Sequence, residues 1–423
     1  MVLRRTSTAA LCVACALVLA ACGRSGTDDA SSTPTASVPT GKVTGTITVW
    51  AQGAEAESLP ALVKGFEKAN PGVKVEVTAV PWTNAHSKYQ TAIAGGTTPD
   101  VAAMGTTWMP DFAGAFQAVP SDLDTSDMFA GSKSTNVVKG TTLGVPWYVD
   151  TRLVYYRTDL AKKAGYPTPP KTFAEFKAMA KAMQTKAGAK WGINLAPSGA
   201  DSFQFSMPFS WSAGASLMNA AGTKWTLDTQ QMTAGLTYYQ SFFTDGIADP
   251  NVSTAAGGKE AAFVKGTTPV LIDGPAEVSS LDAAGGKGFA KKYGVMRIPK
   301  DQSSTSFTGG GNLVVFKKSA NSGAAWKLVQ YLSQPSVQAD WYKATGDLPS
   351  VRSAWDDPSL SADQKLAVFK AQLADAKAPP ANTAWTQVSA AADTQLEKIV
   401  NGTDPASALK TLQSDADSIG TGD

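Results

Sequence analysis

Cysteine is nearly missing from this 423-residue chain: three residues, Cys12, Cys15 and Cys22, and none beyond them. Past residue 22 there can be no disulfide and no thiolate metal site, so stability must come from an ordinary hydrophobic core. Histidine is scarcer still. His86 is the only one, which excludes a histidine-cluster metal centre and would make any Ser-His-Asp arrangement depend on one residue in an amphipathic stretch, where a surface position is expected. A Walker-type phosphate loop is lacking, and Gly309-Gly-Gly-Asn312 precedes a strand, the wrong order for a nucleotide cradle. Neither sign of charge dominates: 37 basic against 35 acidic residues leave a formal charge of +2, and with no long basic run nucleic acid is not an expected partner. Nothing after Cys22 is apolar and long enough to span a bilayer.

What is present begins with a leader. Arg4 and Arg5 precede an apolar and small stretch from Leu11 to Ala20, which is short for a membrane span and reads as a secretory signal, residues 1–21. It ends in Leu19-Ala20-Ala21-Cys22, which resembles the bacterial lipoprotein box; a signal peptide with a chance cysteine is the alternative. The resemblance makes Cys22 the lipidation site and places the protein outside the cytoplasm, anchored by acyl chains to the outer face of the bacterial cell membrane. Residues 22–42 are small, polar and punctuated by proline, with too little apolar surface to offset the entropy of ordering, and read as a flexible tether.

Roughly 380 residues remain, more than one core usually organises, so two lobes are expected. Thr46 to Trp50 reads as a buried strand, Leu59, Leu62, Val63, Phe66 and Ala69 fall at helical spacing, and Val73 to Val77 alternates as a second strand; such a βαβ opening implies a parallel sheet with helices on its faces. Further on, Thr172-Phe-Ala-Glu175 has the form of a capping box. Val270 to Asp273 and Asn312 to Phe316 are strand candidates, the second followed by a helix carrying Trp326, Val329 and Leu332. The last third is mostly helical by composition, with breaks at Pro349, Pro358 and Pro379-Pro380.

The strand-turn-helix opening, Gly95-Gly-Thr-Thr-Pro-Asp-Val101, the stretch from Gly144-Val-Pro-Trp-Tyr-Val-Asp150 to Tyr156, and Gly309-Gly-Gly-Asn-Leu-Val-Val315 together resemble the family-1 extracellular solute-binding proteins, the maltose-binding-protein-like receptors of ABC sugar importers. The resemblance implies an α/β, periplasmic-binding-protein-like fold of type II, two α/β lobes joined by hinge crossings near Asp150, near Thr308 and from Asp347 to Pro349. The first lobe would comprise residues 43–150 and 309–346, the second 151–308 and 347–423, with ligand held in the interlobe cleft. It implies a monomer that delivers an oligosaccharide to ABC permease subunits, with no cofactor, no metal and no catalysis.

A pyranose offers apolar C–H faces and a rim of hydroxyls, so its receptor needs aromatic platforms and planar polar side chains. Eleven tryptophans are generous for this length, and Trp82, Trp108, Trp211 and Trp385 stand beside turns. The resemblance aligns Trp385 with the family's stacking tryptophan in the C-terminal lobe. For each of the four the alternative is a place in the core, where large aromatics more often sit, and Trp191 and Trp326 are assigned there. Hydrogen bonds to the rim are expected from Gln52, Glu55, Thr107, Asp150 and Asn312 and from the backbone of Gly310 and Gly311, a carboxylate being suited to accept from two vicinal hydroxyls. Glu55 could instead serve the dipole of the helix it opens, and Asp150 could form a structural ion pair with Arg152. Asp273-Gly-Pro-Ala276 departs from the family, many members of which carry a tryptophan after Gly-Pro. The competing class is a secreted glycoside-processing enzyme, which needs only a carboxylate pair.

Overall fold

The computed structural model describes residues 37–252 and 257–422; the leader, Cys22 and most of the tether lie outside the described residues. The expected opening is present. Thr44–Gln52 and Gly72–Val80 pair in parallel, Thr44 opposite Gly72 through Gln52 opposite Val80, with the helices Gly53–Leu62 and Lys64–Ala69 between them. Apolar residues at alternate positions put one side chain on each face in turn. Ile47, Val49, Val101 and Ala103 join one core cluster, whereas Ala102 and Met104 join another with Tyr89, Phe112 and Phe316. The sheet is thus covered on both sides.

Seven strands make up this first sheet. Edge to edge they run Leu348–Pro349, Val145–Thr151, Ser306–Val315, Val101–Gly105, Thr44–Gln52 and Gly72–Val80, with Ala376–Lys377 paired to the beginning of Ser306–Val315. A second sheet has three antiparallel strands, Val270–Asp273, Leu153–Arg157 and Tyr293–Met296, with Leu153–Arg157 in the middle. Its two faces are covered separately. Val154, Tyr156 and Val270 meet helices Phe173–Ala187, Ser202–Ser212 and Gln230–Thr244 and the C-terminal pair Trp385–Val400 and Pro405–Ile419, while Leu153, Tyr155 and Leu271 meet Phe263, Phe289 and Phe369. The capping box forms as expected: Glu175 N–H donates to Thr172 Oγ1 at 3.3 Å, and Thr172 N–H donates to the Glu175 carboxylate at 3.1 Å.

The chain passes directly from one sheet to the other at Arg152. Val145–Thr151 belongs to the first sheet and Leu153–Arg157 to the second, with Arg152 alone between them. The chain returns through Ser306–Val315, in which Thr308 pairs with Thr151 and Gly310 with Val149, and Leu348 pairs with Val149 from the other side. Three crossing segments therefore lie side by side and hydrogen-bonded. Gly310 is required there: its φ is +122°, and a Cβ would sit 2.1 Å from the Tyr148 carbonyl oxygen. The register shifts between Gly311 and Asn312, so the glycine run forms a bulge inside the strand and does not precede it, which corrects the expectation.

Candidate functional site

Parallel strands end at the same edge of a sheet, and at that edge the first lobe presents its polar and aromatic groups. Gly53 follows Thr44–Gln52 with φ +50°, and a Cβ there would meet the Trp82 indole nitrogen at 2.7 Å. Trp82 opens the helix Trp82–Gly95 directly after Pro81 and is 43% exposed. Its ring meets that of Trp108 edge-on at 5.6 Å, and Trp108 meets His86 at 5.5 Å. His86 is partly exposed, as expected, and its Nε2 lies 2.9 Å from Asp111 Oδ2. Thr107 is half-buried in the turn Thr106–Trp108.

The run of contacts continues into the crossing. Tyr148 donates its hydroxyl to Glu55 Oε1 at 3.1 Å, and burial followed by the Glu55 charge pushes that phenol well above its ordinary range. Asp150 Oδ2 lies 2.7 Å from Arg152 Nη1, whereas its Oδ1 is buried without a protein partner. From the second lobe Asp273 Oδ1 stands 3.9 Å from the same guanidinium nitrogen, and Asp273 Oδ2 pairs with Lys259, which Glu277 also holds at 3.0 Å. Phe205, on the helix Ser202–Ser212, is 39% exposed beneath the guanidinium at 5.8 Å. Only three large hydrophobic residues are exposed among the described residues, and two of them are Trp82 and Phe205.

Cavities adjoin this run. One of about 810 Å³ lies between His86, Gln90, Trp108 and Asp111 of the first lobe and Thr383, Thr386 and Gln387 of the second. Another, of about 690 Å³, opens beside Phe205 and Asp273 and is bordered by Asn194, Asn251 and Glu260. Carboxylates are close enough here to repel one another. Burial, then Glu55, pushes Asp347 up to about 7, and burial pushes Glu277 up to about 7 against the pull of Lys259. Asp150 is raised by burial and by Asp273, with Arg152 opposing.

The Asp347 shift has a measurable result. Its folded pKa lies above the unfolded value of about 3.9, so the native state binds the extra proton and stability falls as pH rises between about 4 and 7. Asp347→Asn, similar in shape and uncharged, should therefore raise the melting temperature at pH 8 and leave it unchanged near pH 4. An equal shift at both pH values would mean that charge is not what the position resists.

Several expected site residues lie elsewhere. Gln52 is 1% exposed, its amide donating to Tyr89 and to the Ala103 carbonyl inside the first lobe. Asn312 is likewise buried, bonded to Thr135 and Asn136. Gly311 is buried under the Tyr148 ring, while Gly310 is half-buried at the bulge. Trp211 falls inside the helix Ser202–Ser212, not in a turn, and is 2% exposed. Trp385 is the first residue of Trp385–Val400, 4% exposed, with its ring 6.4 Å from that of Trp225 in the second-lobe core. Both tryptophans thus occupy the core position that was their alternative. Trp326 is core as expected, and Trp191 is only half-buried. Phe205, Tyr148, Lys259 and Glu277 escaped the sequence reading. Phe205 had one available signal, since Phe203, two positions earlier, takes the buried face and position 205 must then point away from it.

Two α/β lobes around a cleft, joined by adjacent crossings, define the periplasmic-binding-protein-like fold of type II. A family model for bacterial extracellular solute-binding proteins matches residues 50–339, and the chain belongs to that family, whose place of work is outside the cytoplasm. Among solved structures it is similar to the sugar-binding protein MalE from Xanthomonas citri, 33% identical, with a TM-score of 0.83 over 89% of this chain and 97% of that one. The GacH receptor of Streptomyces glaucescens, solved unliganded and in complex with acarbose, is 25% identical, with a TM-score of 0.73 over 89% of this chain and 99% of its own. The diacetylchitobiose binding protein DasA of Streptomyces coelicolor is 26% identical over 97% of each chain. Among the described residues no helix is long and apolar enough to cross a membrane, and no group of acidic, cysteine or histidine side chains could hold a metal ion.

Proposed function

We propose that this chain is the carbohydrate receptor of an ABC importer, closing its lobes around an oligosaccharide, handing it unchanged to permease subunits and working as a monomer. One observation carries the reading: an exposed aromatic ring from each lobe, Trp82 and Phe205, flanks the carboxylates Glu55, Asp150 and Asp273. Rings stack on pyranose C–H faces and carboxylates accept from the hydroxyl rim, which is the pairing a sugar demands. The sugar ligands in the names of the relatives support it. Thr107 and Trp108 extend the first-lobe side of the site and the Gly310 backbone its floor. The lobes divide as residues 43–150 with 309–346 and 151–308 with 347–423, in keeping with the strand pairing at Val149.

A thermal-shift screen against di- and oligosaccharides tests the ligand class, because a ligand selective for the native state raises apparent stability by mass action. Incubation with the best ligand followed by product analysis should return it intact; cleavage would favour the carboxylate-pair enzyme. Membrane attachment is proposed to run through a thioether on Cys22. Cys22→Ser should move the protein from the membrane fraction to the soluble one, and unchanged retention would sink the anchor.

A further inference from the structure

The helix Trp385–Val400 turns its first indole into the core, and its neighbours must then face outward. Trp385 and Val388, three positions apart, are buried, whereas Thr383, Thr386 and Gln387 are exposed. These three form one wall of the cavity of about 810 Å³, which the first lobe closes from the other side with His86, Gln90, Trp108 and Asp111. The first-lobe wall is held in place. His86 Nε2 lies 2.9 Å from Asp111 Oδ2, and the His86 ring is braced by Phe112 at 4.7 Å and by Trp108 at 5.5 Å. One oxygen of Asp111 is thereby fixed. The other, Oδ1, has no hydrogen-bond partner among the described residues, on a side chain that is 28% exposed. The side chains of Gln90, Thr386 and Gln387 are likewise without partners among the described residues. Past Thr383 the cleft stays open, for that residue also borders a second cavity, of about 970 Å³, which reaches from Pro110 and Phe116 to Met218 and Pro380.

We propose that the cavity beyond Trp108 is a second saccharide subsite, with Asp111 as its hydroxyl acceptor, and that the ligand is accordingly an oligosaccharide longer than a disaccharide. The assignment rests on the receptor reading above. Aromatic rings lead from one subsite to the next: Trp82 meets Trp108 at 5.6 Å, and Trp108 meets His86 at 5.5 Å. A saccharide seated on Trp82 beside Glu55 therefore has Trp108 and then the cavity as its continuation. The lining suits a glycosyl unit, since it offers an indole, a carboxylate that accepts, and amides and a hydroxyl that both donate and accept. Size agrees as well. Sites of about 300–1,000 Å³ enclose a small ligand of roughly disaccharide size, and this cavity falls in that range before the Trp82 side of the cleft is counted. The opening past Thr383 leaves the outer end of a longer chain unblocked.

The test is calorimetric titration of the full chain with the saccharide that gives the largest thermal shift and with its shorter and longer homologues, from the disaccharide to the hexasaccharide. The wild type should bind the tetrasaccharide about tenfold or more tighter than the disaccharide. Asp111→Ala and Gln387→Ala trim the cavity from opposite lobes. Each should remove most of that gain and leave disaccharide affinity within about twofold of the wild type. Trp82→Ala, at the inner end, should weaken every length alike. If Asp111→Ala fails to fold once His86 loses its partner, Gln387→Ala, an exposed position on a helix surface, carries the test alone. Three results would overturn the proposal: wild-type affinity that does not change with chain length, variants that keep the full gain, or variants that lose as much affinity for the disaccharide as for the tetrasaccharide. If no saccharide binds the wild type, the receptor reading falls and this assignment falls with it; if the disaccharide binds and its longer homologues gain nothing, only the assignment falls.

Discussion

Replacing Trp385 by alanine is expected to lower the free energy of unfolding by about 3–5 kcal/mol, the cost of emptying a large aromatic site in a packed interior. The indole is 4% exposed and shares the second-lobe core with Trp225, Val388 and Leu396. Saccharide affinity among molecules still folded should change by less than about twofold, since the ring offers no face to the cleft. Thermal melting together with titration decides the matter. A variant that melts normally and binds poorly would put the ring on the ligand, where the resemblance to the family had placed it.

Trp82 should behave in the opposite way. Its ring is 43% exposed, packed against Gly53 on one side and meeting Trp108 edge-on. Trp82→Ala should therefore cost under about 1 kcal/mol of stability. It should weaken saccharide binding by about 2 kcal/mol, roughly thirtyfold, the scale of an aromatic anchor removed from an interface. Unaltered affinity for every saccharide that stabilises the wild type would remove Trp82 from the site and leave Phe205 as its only exposed ring.

The contrast between these tryptophans shows how far one sequence can be read. Local pattern was enough for the βαβ opening, since alternation at 73–77 and helical spacing from Leu59 to Ala69 are properties of neighbours in the chain. The Thr172 cap is equally local. The two-lobed fold was legible through resemblance, and the pairing of Val149 with both Gly310 and Leu348 sets three segments side by side between the sheets. Exposure was not legible. Trp211 follows Pro208 and looked like a turn residue, yet the proline lies inside the helix Ser202–Ser212 and the indole turns inward. Gln52 and Asn312 have side chains suited to sugar hydroxyls, but Tyr89, the Ala103 carbonyl, Thr135 and Asn136 take those bonds. These partners are 37 to 177 positions removed, and no window of sequence contains them. The approach of Asp273 to Arg152 has the same character, because it exists only once Val270–Asp273 is paired with Leu153–Arg157.

Ser306–Val315 lies between Val145–Thr151 and Val101–Gly105, at the heart of the first sheet. During synthesis that strand leaves the ribosome only after everything up to residue 305 has gone before it, so the first lobe spends most of translation with its middle missing. Two half-sheets with unpaired edges cannot close over their core, and pairings of such long sequence separation form slowly. The topology itself therefore delays completion of the first sheet at least until Val315 has been made. A circular permutant of the residues from Val43 onward that begins near Gln302 would bring the central strand out first, and its refolding rate, followed by stopped flow, should exceed that of the natural order.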